Sequence, residues 1–77
     1  MQSIKLTHEQ IKTLTFHISS LDQVQRELIR HVLMQLHDQT GGVIWHYKLH
    51  KELLRMKNEG EISDIDVRGV EDAVWQE

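Results

Sequence analysis

The apolar positions of this chain fall at helical spacing in four consecutive segments, and capping signals mark where those segments begin. Thr7 and Gln10 make a capping box, and Leu6 and Ile11 flank it at the spacing of a hydrophobic staple. Ile11, Leu14, Ile18 and Leu21 then recur at three- and four-residue steps, which predicts a helix over about 7–19, with Phe16 off its stripe. A second box, Ser20 with Gln23, opens the longest periodic stretch. Val24, Leu28, Ile29, Val32, Leu33 and Leu36 predict a helix over 21–39, roughly 27 Å long. They cover about half a helical circumference, enough to pack against two neighbours.

Thr40-Gly41-Gly42 ends that helix, because glycine accepts the left-handed conformation found at helix C-termini. The next residues, Val43 to Tyr47, have the β-branched and aromatic character of a short strand. Trp45, Leu49, Leu53 and Met56 nevertheless keep one helical phase, so the pattern favours a helix over 43–58. Val43, Tyr47 and Leu54 form a second apolar strip on it, which predicts burial on two sides. Gly60 closes this helix. Ile62, Ser63 and Val67 repeat the staple and cap, and Val67, Val70 and Val74 give the inner face of a helix over 63–76. Asp64 and Asp66 lie in its first turn, where the positive end of the helix dipole favours anions. Gly69, inside it, costs ~1 kcal/mol relative to alanine and marks either a close approach of another backbone or an early fray. No proline interrupts any segment. The expected fold is all-α: one compact four-helix domain over 1–77, with the second and third helices as an antiparallel spine.

Composition makes a companion chain part of this picture. A 77-residue chain without cysteine has no disulfide or cysteine-based zinc site. A domain of this size buries only about 60% of its unfolded surface. Such domains depend on tidy helix packing, a metal or a second copy, and two wide-faced helices exceed what short neighbours cover. Self-association, most simply as a homodimer, is therefore expected. The N-terminus lacks the apolar core of a secretory signal. No stretch approaches the ~20 apolar residues of a membrane span. Together with the missing cysteines, this reads as a cytoplasmic protein with no membrane partner.

The net charge of −3 hides an asymmetry, +3 over residues 1–57 and −6 over 58–77. Lys48, Lys51 and Arg55 share one face of the third helix, outside both apolar strips, and suit an acidic partner or phosphate. In a helix-turn-helix this would be the recognition helix. That DNA-binding regulator is the alternative function, but the acidic tail and a pI near 6.0 run against the basic footprint of nucleic-acid binders.

Six histidines raise metal chemistry. His46 and His50 are four apart on one helix, with His37 as a third candidate ligand, yet the glutamate of the HExxH pattern is missing. Spacing assigns no metal and no cofactor. Residues Asn58 to Asp66 resemble the second half of an EF-hand loop. Arg55 and Lys57 stand where that loop opens with carboxylates, so calcium is not expected. The same stretch is similar to the turn of short bacterial helical hairpins of the SHOCT type, a likeness of helix punctuation. No cysteine nucleophile, nucleophile elbow or phosphate-cradling glycine loop occurs. A non-enzymatic interaction or regulatory module is expected, with Phe16, Trp45, Tyr47, Lys48, Lys51, Arg55 and Trp75 as the partner-binding residues, since aromatic residues concentrate where partners dock.

Overall fold

Three capping boxes organise the helices of the computed structural model, which describes residues 2–75. Its elements are β1 (Ser3–Lys5), α1 (His8–Phe16), α2 (Gln23–Gln39), β2 (Val43–Trp45), α3 (His46–Asn58) and α4 (Asp64–Val74). At the first box the Gln10 amide donates to Thr7 Oγ1 at 3.1 Å, and the Thr7 amide donates to Gln10 Oε1 at 2.9 Å. At the third, Ser63 and Asp66 exchange the corresponding bonds, and Asp66 is buried in doing so.

The second box is built from different residues than expected. Asp22 and Gln25, rather than Ser20 and Gln23, cap α2, through bonds of 2.8 and 3.0 Å. An ionised carboxylate facing a helix N-terminus makes a charge-assisted bond that a serine hydroxyl does not. The helix therefore starts at Gln23 instead of 21. The first helix is also shorter, ending at Phe16 rather than 19. Buried Thr15 turns its hydroxyl back onto the carbonyls of Ile11 and Lys12, at 2.9 and 3.0 Å. Residues 17–22 then form a turn held by Arg26, whose guanidinium donates to the carbonyls of Thr15, Ile18 and Leu21. The last helix stops at Val74 with Trp75 as its C-cap. Residue 76, its expected end, lies outside the described residues.

The largest correction concerns residues 43–45, which form a strand and not the first turn of a helix. β2 pairs antiparallel with β1 in the register Ser3↔Trp45, Ile4↔Ile44, Lys5↔Val43. Flanking bonds from the Leu6 amide to the Gly42 carbonyl and from the His46 amide to the Gln2 carbonyl extend the ladder. Gly41 and Gly42, at φ +67° and +101°, swing the chain out of α2 into extended backbone, where β-branched residues fit a pleated surface. Trp45 is the N-cap of α3, with ψ 134°. Its helical phase with Leu49, Leu53 and Met56 survives because a cap sits one step before the first turn.

The architecture is thus mostly helical: four helices with a small two-stranded ribbon. Ile11, Ile29, Leu33, Ile44, Leu49 and Leu53 are fully buried at its centre. α2 packs most extensively against α1 and also meets β2 and α3, while α4 lies against α1 and α3. The expected apolar faces hold, with three exceptions. Val24 of α2 is exposed, and so are Tyr47 and Leu54 of α3. α3 is therefore buried on one side, not two. Among the described residues no helix is long and apolar enough to cross a membrane.

Candidate functional site

The side of α3 turned away from the core carries the most informative surface. Tyr47, Lys51 and Leu54 stand at i, i+4 and i+7, so they line one strip of the helix. Tyr47 is 52% exposed and Leu54 38%, and Lys51 is exposed between them. Lys48 and Arg55 lie along one flank. The apolar pattern predicts Leu54 as part of a buried strip, and its exposure corrects that.

The three cations of the strip are not equivalent. Arg55 is held by Glu52 and Glu59, each at 3.0 Å, and the bonds to Glu52 and then Glu59 keep its guanidinium above its ordinary pKa. It is paired within its own helix. Lys48 and Lys51 form no ion pair among the described residues. The other flank of the strip meets α4. There His50 Nδ1 lies 2.7 Å from Glu71 Oε2, and Lys57 Nζ lies 2.7 Å from Asp64 Oδ1. Beyond this seam α4 exposes Arg68 and Asp72. One surface therefore runs from a basic, partly apolar half on α3 to a predominantly acidic half on α4.

The remaining residues read from the sequence lie elsewhere. Trp45 is half-buried in β2. Trp75 is half-buried against the core, with its ring centroid 5.3 Å from that of His46. Its indole N–H is buried without a hydrogen-bond partner among the described residues. Phe16 is 69% exposed at the end of α1, where Arg26 lies over its ring. The aromatic residues thus do not gather on one face, and of them only Tyr47 joins the cations of α3.

The histidines group differently from their spacing. His46 and His50 stack on successive turns, 5.9 Å between centroids. His37 is not their third member. It joins His8, at the start of α1, and Asp38: His37 Nδ1 and His8 Nε2 lie 2.9 and 3.2 Å from the same oxygen, Asp38 Oδ1. The bonds from His37 and then His8 hold the Asp38 carboxyl below its ordinary pKa. No local pattern signals this grouping, because 29 positions separate His8 from His37 and only the fold joins them. The likeness to an EF-hand loop ends in ordinary helix punctuation: Gly60, at φ +79°, follows α3 and Ser63 caps α4. An apolar cleft of about 590 Å³ between α1 and α4, floored by Leu14 and Ala73, has no histidine other than His17 at its rim. Comparison with protein-family models, curated proteins and solved structures finds no match to this chain.

Proposed function

We propose that this domain is a small intracellular interaction module without catalytic activity, which pairs with a second copy of itself through the surface shared by α3 and α4. The observation that carries this reading is the uncovered Tyr47–Lys51–Leu54 strip on α3. A helix that keeps two large apolar side chains in water, with an unpaired lysine between them, has surface that a partner would bury favourably, at about 25 cal/mol per Å².

Charge favours a second copy as that partner. Lys48 and Lys51, without an ion pair among the described residues, lie on α3, and α4 carries Asp64, Glu71 and Asp72 against one cation, Arg68. A two-fold axis over the seam sets the basic half of each protomer on the acidic half of the other. Such an isologous contact closes on itself and leaves no open end. Pairing α3 directly on α3 would instead place Lys51 near Lys51. The Lys57–Asp64 ion pair and the His50–Glu71 hydrogen bond at the seam add little by themselves.

Sedimentation analysis over a wide concentration range tests the reading. A monomer–dimer equilibrium that weakens with salt is expected. Lys51→Glu and Asp72→Lys should each shift it toward monomer, and the double exchange should restore it. A monomer at every concentration would overturn the proposal. So would duplex DNA binding that depends on Lys48 and Lys51, because it would assign the same strip to nucleic acid.

A further inference from the structure

We infer that His8, His37 and Asp38 form a binding site for a divalent transition-metal ion of the zinc and nickel class. The site is separate from the α3–α4 surface and does not depend on the self-association reading. One donor atom from each of the three residues lies within 4.8 Å of the others. Two imidazoles and a carboxylate are a donor set that suits such ions. Tetrahedral zinc, with bonds of roughly 2.0–2.1 Å, spaces its donor atoms about 3.3 Å apart. The separations of His37 Nδ1 and His8 Nε2 from Asp38 Oδ1, 2.9 and 3.2 Å, are already close to that value. Their ring centroids lie 4.6 Å apart at an interplanar angle of 50°, so both rings converge on one carboxylate oxygen.

The backbone around the three residues holds them in place. His37 and Asp38 lie in the last turn of α2, and His8 is the first residue of α1. The Gly42 amide donates to the His37 carbonyl at 2.7 Å, and the Leu6 amide donates to the Gly42 carbonyl at 3.2 Å. The glycine turn and the end of β1 thereby fix the start of α1 beside the end of α2. The His37 side chain is 18% exposed, whereas His8 and Asp38 are 56% and 65% exposed. The inner ligand is fixed, and the outer two can move the short distance that coordination requires. An open cleft of about 660 Å³ beside His8 and His37 leaves room for water to complete the coordination sphere. The negative end of the α2 dipole and the positive end of the α1 dipole meet here and offset each other. Lys5 and Glu9, which also border the cleft, offset each other in charge, so affinity rests on the three donors.

Binding exchanges the two imidazole–carboxylate hydrogen bonds for metal bonds. Each nitrogen coordinates through its lone pair, so a proton on His8 Nε2 or His37 Nδ1 moves to the other ring nitrogen or is released to water. No oxidation state changes. The bound ion would clip the start of α1 to the end of α2, and by mass action it would stabilise the fold.

Calorimetric titration of zinc chloride and nickel chloride into the chelator-treated protein tests the site. One ion per chain is expected, with a rise of several degrees in Tm at saturating metal. His8→Ala should weaken binding roughly tenfold or more, by loss of one of three protein ligands. The exposed position of His8 leaves folding intact, which circular dichroism verifies. Asp38→Asn should weaken binding comparably. The double variant His46→Ala/His50→Ala should bind as the wild type does. Absence of binding at millimolar metal would overturn the inference. So would binding that survives His8→Ala but is lost on replacing His46 and His50.

Discussion

The guanidinium of Arg26 lies over the ring of Phe16, 5.8 Å from its centroid. The same guanidinium donates to the carbonyls of Thr15, Ile18 and Leu21 at 3.2, 3.3 and 3.0 Å. Those carbonyls belong to the end of α1 and the turn that follows it, where backbone acceptors have no helical partner. Arg26 therefore closes α1 from a neighbouring helix, and Phe16 covers the guanidinium while it does so. Arg26→Ala should destabilise the domain by about 1–3 kcal/mol, because three acceptors lose a charged donor. At a shift of about 4–8 °C per kcal/mol for a domain of this size, thermal denaturation followed by circular dichroism resolves the loss. Arg26→Lys should recover less than half of it, since one ammonium lacks the planar fork of N–H groups. A wild-type Tm in Arg26→Ala would show that water serves those carbonyls equally well.

Much of this fold is legible in the apolar pattern, and what is not has identifiable causes. Ile11, Ile29, Leu33, Leu49, Leu53 and Val70 are core residues in both the pattern and the structure, because helical periodicity is local and repeats several times per segment. The ribbon of β1 and β2 has no such repetition. Three residues cannot display an alternation, and Ile4 finds Ile44 forty positions away. The displaced cap has a different cause: Ser20–Gln23 and Asp22–Gln25 both satisfy the capping pattern, and the carboxylate of Asp22 makes the stronger bond to the helix N-terminus. The α3 surface was half legible. The cations Lys48 and Lys51 follow from helical spacing, but the exposure of Tyr47 and Leu54 does not, because an apolar strip reads the same whether a neighbour covers it or not. The grouping of His8 with His37 and Asp38 is purely tertiary.

Gly69 separates two explanations for a glycine inside a helix. A methyl group placed there would lie 3.4 Å from Ile18 Cγ2 and 3.6 Å from Ser20 Oγ, ordinary contact distances. Gly69→Ala should therefore raise stability, by about 0.5–1 kcal/mol, through helix propensity and a less flexible unfolded chain. Gly41→Ala should do the opposite. Nothing lies near its added methyl, but φ there is +67°, which costs an alanine about 1–2 kcal/mol. Urea denaturation of both variants gives the two signs directly, and a destabilised Gly69→Ala would mean that the 17–22 turn and α4 pack too tightly to admit a methyl.

Stability and association should come apart on α3. Leu53 and Leu54 are neighbours in sequence, but Leu53 is fully buried and Leu54 is 38% exposed. Leu53→Ala should cost about 2–5 kcal/mol, as large-to-small core changes do. Tyr47→Ser and Leu54→Ser should each stay within roughly 0.5–1 kcal/mol of the wild type, as befits open positions. The same two serine variants should shift the monomer–dimer equilibrium toward monomer. If they unfold the domain as readily as Leu53→Ala does, the strip belongs to the fold of a single chain and is not a docking surface.

Asp38 gives the acid limb of stability a defined sign. The bonds from His37 and His8 hold its carboxyl below the ordinary value of 3.8. In the window between that value and the lowered folded pKa, the unfolded chain binds more protons than the folded one, so stability rises with pH there. The contribution is present in full above the unfolded value and disappears as pH falls through the folded one. Asp38→Asn removes the titrating group, so its stability should fall less steeply on acidification below about pH 4 than that of the wild type. Urea denaturation at a series of pH values, with chelator present so that no metal competes with protons, measures both slopes. Equal slopes would mean that the two imidazoles do not hold the carboxylate in solution.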